Sequence, residues 1–171
     1  ASYFWAAAAV LPNFSITIEG LGKDSLQGDI AVVDVLAAMG ARVSHSDRGI
    51  TVTAPAGGPL HGIERDMNAI PDMVQTIAVV ALFAQGRTVL KNVWNLRVKE
   101  TDRLAALEKE LAKLGARVAT GPDWISIDPP PPDHLHPTAA ASPPPRIDID
   151  TYDDHRMAMA FAIAGTACAS T

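Results

Sequence analysis

The 171-residue chain has one cysteine, few cations and no apolar run long enough to cross a membrane, and each shortage removes a class of protein. Cys168 has no partner for an internal disulfide, which fits a reducing compartment. It reads as a small buried apolar residue. Fourteen Lys and Arg face nineteen Asp and Glu, a net charge of -5 at pH 7. General nucleic-acid and membrane-surface binders need a basic face, which this balance does not supply. The apolar opening, residues 1–11, has no basic flank to make it a signal peptide, and it falls short of the roughly 20 residues of a spanning helix. It is expected to be a buried helix entered partway, in a chain that is a piece of a longer one. His134 and His136 have no Cys or carboxylate cluster beside them, so no metal site is expected.

About half of the residues are apolar, enough for one real core but not for two comfortable domains. An internal repeat organises them. A shift of 75 positions lays Gly40-Ala41-Arg42-Val43 on Gly115-Ala116-Arg117-Val118 and Ile50 to Thr53 on Ile125 to Asp128. Backward, the same register puts Leu36 on Leu111, Leu21 on Leu96, and Ser15 to Ile18 on Leu90 to Val93. Self-similarity of this kind marks one supersecondary unit used more than once.

The second copy, about 70–130, opens with Ile70-Pro71-Asp72 and a helix over 73–83, apolar nearly all round and therefore interior. A strand over 88–93 follows, then a charged segment expected to open an amphipathic helix. Leu104, Leu107, Leu111 and Leu114 line one face of that helix, and Gly115 caps its end. Strands over 117–120 and 124–128 turn through Gly121-Pro122-Asp123. The first copy, about 1–55, supplies a helix over 2–10, a strand over 15–19, a helix over 29–39 and strands over 42–45 and 50–53. A partial third copy, 153–171, begins at Asp153-Asp154-His155-Arg156 with an apolar helix over 157–167, after a Pro-rich loop over 129–149. The expected fold is α/β (α+β), a single unit over 1–171 with apolar helices inside and sheets or amphipathic helices outside. Equivalent helix N-termini would then face one side and make a surface that receives anions.

The segment Asn95-Leu96-Arg97-Val98-Lys99-Glu100-Thr101-Asp102-Arg103 concentrates charge where a helix dipole favours the acids and disfavours Lys99 and Arg103. It is either a bound-anion site or a solvated, self-paired cluster. Asp72 after Pro71 is either ordinary N-terminal chemistry or a functional acid. Arg156, leading an apolar helix, needs a partner anion unless it reaches water. His155 is either a donor or simply hydrogen-bonded at the helix entry, and Asp153 and Asp154 read as caps. Aligning Asp66 with Asp150 places Met73 on Met157 and Asp72 on Arg156, so one structural position carries opposite charges. A purely structural requirement would repeat one sign.

The strings from Asn95 to Leu104 and from Asp154 to Met159, with Ile70-Pro71-Asp72 upstream, closely resemble the 5-enolpyruvylshikimate-3-phosphate synthases (3-phosphoshikimate 1-carboxyvinyltransferases). Ala1 to Phe4 and Leu26-Gln27-Gly28-Asp29 are also similar to segments of that family, so the resemblance runs through almost the whole chain. It implies an enolpyruvyl transferase-type lobe: two lobes of three repeated units each, with substrates in the cleft between them. This chain would be most of the C-terminal lobe. The N-terminal lobe and the last segment of its own lobe, with a phosphoenolpyruvate-binding Lys, would be missing. The implied reaction moves the enolpyruvyl group of phosphoenolpyruvate to the 5-hydroxyl of shikimate 3-phosphate and releases phosphate, on the shikimate pathway to chorismate and the aromatic amino acids. By the same resemblance Asp72 accepts the hydroxyl proton and touches shikimate 3-phosphate, which Asn95 and Lys99 also bind. Glu100, with Lys99 able to share the task, serves proton transfer at the methylene carbon. Arg103 and Arg156 clamp phosphoenolpyruvate with His155 beside them, where a planar fork suits phosphate or carboxylate. The resemblance implies no metal or organic cofactor, a monomeric cytoplasmic enzyme, and glyphosate as competitor in the cationic pocket. Two alternatives stand: UDP-N-acetylglucosamine 1-carboxyvinyltransferase, and a noncatalytic anion-binding lobe. The isolated chain is expected to be inactive.

Overall fold

The computed structural model describes residues 1–22, 25–135 and 146–169. Its elements are helix α1 (Ser2–Val10), strand β1 (Ser15–Glu19), helix α2 (Val32–Ala38), and strands β2 (Arg42–Ser46), β3 (Gly49–Thr53), β4 (Leu60–His61) and β5 (Glu64–Asp66). Helix α3 (Val74–Val80), strands β6 (Ala84–Gln85) and β7 (Thr88–Lys91), helix α4 (Arg103–Lys113), strands β8 (Arg117–Thr120) and β9 (Trp124–Asp128), and helices α5 (Pro132–Leu135) and α6 (His155–Ala169) complete the order.

The three apolar helices α1, α3 and α6 pack on one another, and every residue of α3 is buried. A helix that is apolar all round can be satisfied only in the interior, and each fully buried Val or Ile there contributes about 1.5–3 kcal/mol. Around them lie the antiparallel sheet β1-β3-β2, the sheet β5-β7-β9-β8, and the parallel pair β4-β6. Ile50 and Val52 of β3, Leu90 of β7 and Ile125 and Ile127 of β9 turn inward to the core with Trp5, Met73, Leu104, Leu107 and Met157. The buried Trp5 indole donates to the Ile50 carbonyl at 3.1 Å, so its polar edge is not orphaned.

Strand pairing agrees with one register of the expected repeat and corrects another. Arg42 pairs with Thr53 and Arg117 with Asp128, so the shift of 75 holds through the second hairpin. Val52, however, pairs with Ile16, while Ile127 pairs with Thr88, which lies 72 positions beyond Ile16. An offset of 75 would have carried the inward Ile16 to Lys91, on the outer face; strand alternation forbids that odd slip. The second copy therefore holds three extra residues between β7 and α4.

Other differences are local. The helix expected over 29–39 is a 3-10 turn (Gly28–Ala31) leading into α2, and that over 73–83 is α3 flanked by 3-10 turns at Pro71–Met73 and Ala81–Phe83. Strands β4, β5 and β6 were not foreseen, because two or three residues carry no period. Within the expected loop over 129–149, Pro132–Leu135 forms a helical turn, and His136 and residues 137–145 lie outside the described residues. Gly115 at φ +86 ends α4 as expected. Cys168 is half buried, and burial pushes its thiol up. Among the described residues no helix is long and apolar enough to cross a membrane, and no group of three or more His, Cys, Asp and Glu could hold a metal.

Candidate functional site

The charged segment does not open α4 as the sequence suggested. Trp94–Val98 is a 3-10 turn, Lys99 to Thr101 are irregular, and the helix starts at Arg103. Asp102 decides this: its Oδ1 accepts from the Ala105 backbone N–H at 3.1 Å, an N-cap. Its Oδ2 takes the Arg97 guanidinium at 2.8 Å, and Arg97 also donates to the carbonyls of Gly121 and Pro122. Lys99 and Glu100 are thus held in front of the helix end, while Arg103 stays in its first turn, where Asp72, Glu100 and Asp154 offset the positive end of the dipole.

Three helix starts converge on these residues. From the entry to α3, the Asp72 carboxylate pairs with Lys99 at 3.4 Å, Arg103 at 3.0 Å and Arg156 at 3.1 Å. Asp72 and Arg156, which the repeat places in equivalent positions, are therefore ion-pair partners. Arg103 is only 1% exposed, and it divides its fork among three acids. Its Nε and Nη2 reach Asp154 at 2.7 and 3.2 Å, Nη2 reaches Glu100 at 2.7 Å, and Nη1 reaches Asp72. Asp154, equally buried, also accepts from the Arg156 backbone N–H at 2.8 Å, so it is the expected cap and an ion-pair partner at once.

Charge persists here because every buried ion is matched. Burial works against the charged form of Asp154, yet the Arg103 bonds and the backbone N–H groups of Arg156 and Met157 hold its carboxyl below the ordinary value. Burial likewise opposes the Arg103 cation, and Asp154, Glu100 and Asp72 together raise it above its usual value. Tyr3, at the start of α1, lies beside Arg156; burial pushes its phenol up while Arg156 pulls the other way.

Of the residues singled out in the sequence, Asp72, Lys99, Glu100, Arg103 and Arg156 form one ion-paired cluster. Asn95 sits in the 3-10 turn behind Lys99 with its Oδ1 buried and without a hydrogen-bond partner, an acceptor waiting for a donor. His155 heads α6 and is exposed; its imidazole makes no hydrogen bond or ion pair among the described residues. Sequence reasoning missed Asp154 as the buried partner of Arg103, and it missed Tyr3. The only signal for Asp154 was a carboxylate adjoining a cation at an apolar helix entry.

The family described as EPSP synthase (3-phosphoshikimate 1-carboxyvinyltransferase) matches residues 1–171. The chain belongs to this family. The 3-phosphoshikimate 1-carboxyvinyltransferase of Laribacter hongkongensis is 52% identical over 167 residues, covering 98% of this chain and 36% of the relative. That of Nitrosomonas europaea is 51% identical, covering 95% and 36%. An EPSP synthase structure from Acinetobacter baumannii matches with a TM-score of 0.74 and 26% identity over 96% of this chain and 38% of that one. The enolpyruvyl transferase NikO from Streptomyces tendae shares the fold, at a TM-score of 0.64 and 23% identity over 97% and 35%. The chain thus spans 36% of the length of these two curated relatives.

Proposed function

We propose that the polypeptide containing this segment transfers the enolpyruvyl group of phosphoenolpyruvate to the 5-hydroxyl of shikimate 3-phosphate and releases phosphate. This segment would be an incomplete C-terminal lobe that supplies one wall of the cleft. The observation that carries the reading is the cluster of Lys99, Arg103 and Arg156 around Asp72 at three converging helix starts. Both substrates are polyanions, and such a cation set binds them and stabilises charge that develops as they react.

In this reading the 5-hydroxyl oxygen bonds to the enol carbon of phosphoenolpyruvate, Asp72 takes the hydroxyl proton, and the methylene carbon gains a proton from Glu100 or Lys99. The tetrahedral adduct then loses that methyl proton and expels phosphate, which restores the double bond. Asn95 and Lys99 hold shikimate 3-phosphate, and the unpartnered Asn95 Oδ1 can accept from one of its hydroxyls. Arg156 and Arg103 clamp phosphoenolpyruvate, with His155 as a neighbouring donor. For Arg103 to take a carboxylate, Glu100 must leave its Nη2, where it now sits at 2.7 Å. Binding of the anion would thereby release Glu100 from that cation, so that its carboxyl can hold the proton it gives to the methylene carbon and take one back when the adduct expels phosphate.

Phosphate release from phosphoenolpyruvate and shikimate 3-phosphate, measured with the chain alone and with the missing lobe added, tests the proposal. Turnover is expected only in the second case, because half a cleft cannot orient both reactants. No turnover after complementation, with both parts folded, would overturn the reaction; turnover by the bare chain would overturn the incomplete-lobe reading.

A further inference from the structure

Tyr152 and Asp153 adopt consecutive left-handed conformations, at φ 54 and 53, immediately before the residues that enter the site. Two such non-glycine residues in a row are unfavourable, so the surroundings must impose the turn. They do so from α4. Glu110, fully buried on that helix, accepts from the Tyr152 hydroxyl at 2.8 Å through Oε1 and from the Asp150 backbone N–H at 3.0 Å through Oε2. Lys113 completes the clamp, with its Nζ at 2.6 Å from Glu110 Oε2 and at 3.1 Å from the Asp148 carbonyl. Lys109 lies over the Tyr152 ring at 5.7 Å. Seven residues earlier, about 10 Å along the same helix, Arg103 grips Asp154 through two bonds.

Helix α4 therefore holds the strap 148–156 at both ends of its strained turn. We propose that Glu110 is a positioning residue: its buried carboxylate, bonded to Tyr152 and Asp150, sets the turn that delivers Asp154 to Arg103 and Arg156 to Asp72. The geometric part stands on the structure; its consequence for phosphoenolpyruvate rests on the function proposed above. Burial opposes the Glu110 charge, but Lys113, the Tyr152 hydroxyl and the Asp150 N–H hold its carboxyl below the ordinary range.

Glu110→Gln and Tyr152→Phe test this, the second removing a single hydroxyl and serving alone if the first does not fold. In the 171-residue chain, hydrogen exchange of the Arg103 Nε–H, read by 15N NMR, should accelerate about tenfold or more in either variant that keeps the native circular dichroism. Exchange unchanged in the folded variants overturns the positioning role, whatever the reaction is. In the lobe-complemented protein, KM for phosphoenolpyruvate should rise about tenfold while KM for shikimate 3-phosphate stays within about twofold. A lower melting temperature with both KM values unchanged would make Glu110 merely structural. If the unsubstituted protein does not turn over, the functional reading fails and the exchange experiment alone decides the clamp.

Discussion

Arg103 shows what a single side chain can demand. A guanidinium that is 1% exposed has no water to solvate it, so Asp154 is a requirement of the fold before it is anything else. Asp154→Asn should destabilise the chain by about 3–5 kcal/mol, because it leaves a buried cation undercompensated; urea unfolding monitored by circular dichroism measures it, and a loss under about 1 kcal/mol would mean that Arg103 finds another partner. Arg156, at 21% exposure, is less constrained. In the complemented enzyme Arg156→Ala should raise the KM for phosphoenolpyruvate at least tenfold and that for shikimate 3-phosphate far less, and equal effects would remove its assigned role. At this scale the residue types were legible in the sequence, and so was the need of Arg156 for an anion. The burial of Arg103 was not, since nothing in Thr101-Asp102-Arg103-Leu104 says that residues from two other helices will close over the guanidinium.

At the scale of elements, α4 is specified at both ends by local chemistry. Asp102→Ala should cost about 1 kcal/mol through the lost cap, and it also releases Arg97. Gly115→Ala should cost roughly 1–2 kcal/mol, since its φ of +86 strains any side chain and an added Cβ would meet the His134 ring at 2.5 Å. Thermal unfolding of the two variants checks both; a neutral Gly115→Ala would show that the turn relaxes. The apolar helices and the hairpins β2-β3 and β8-β9 were readable because period and turn chemistry are local signals. The register of β7 was not, because an ungapped alignment cannot see three residues inserted ahead of α4; only inter-strand pairing reveals them.

For the molecule as a whole, pH gives a test of the two buried networks. Asp154 and Glu110 are held below the ordinary carboxylate range, near pH 4, so they stabilise the fold above it, and that contribution is lost as pH falls through their lowered values. Tyr152 is pushed up to about 12 by burial and by Glu110, so its contribution is complete below about pH 10 and is lost as pH rises through about 12. The melting temperature should hold a plateau between these limits, and Tyr152→Phe should flatten the alkaline limb and also weaken the Glu110 part of the acid limb, because the Tyr152 hydroxyl is one of the groups that hold that carboxyl down. A limb unchanged in the variant would assign the alkaline loss elsewhere. By itself the amino-acid sequence determined the family, the repeat, the apolar interior and the identity of the charged residues, because composition, period and motif are properties of the chain read in order. Only the tertiary structure decided that Asp72, Lys99, Glu100, Arg103, Asp154 and Arg156 are one network with Arg103 buried inside it. That result depends on distances between segments up to 84 positions apart, set by the packing of three apolar helices and by a strained turn clamped from α4.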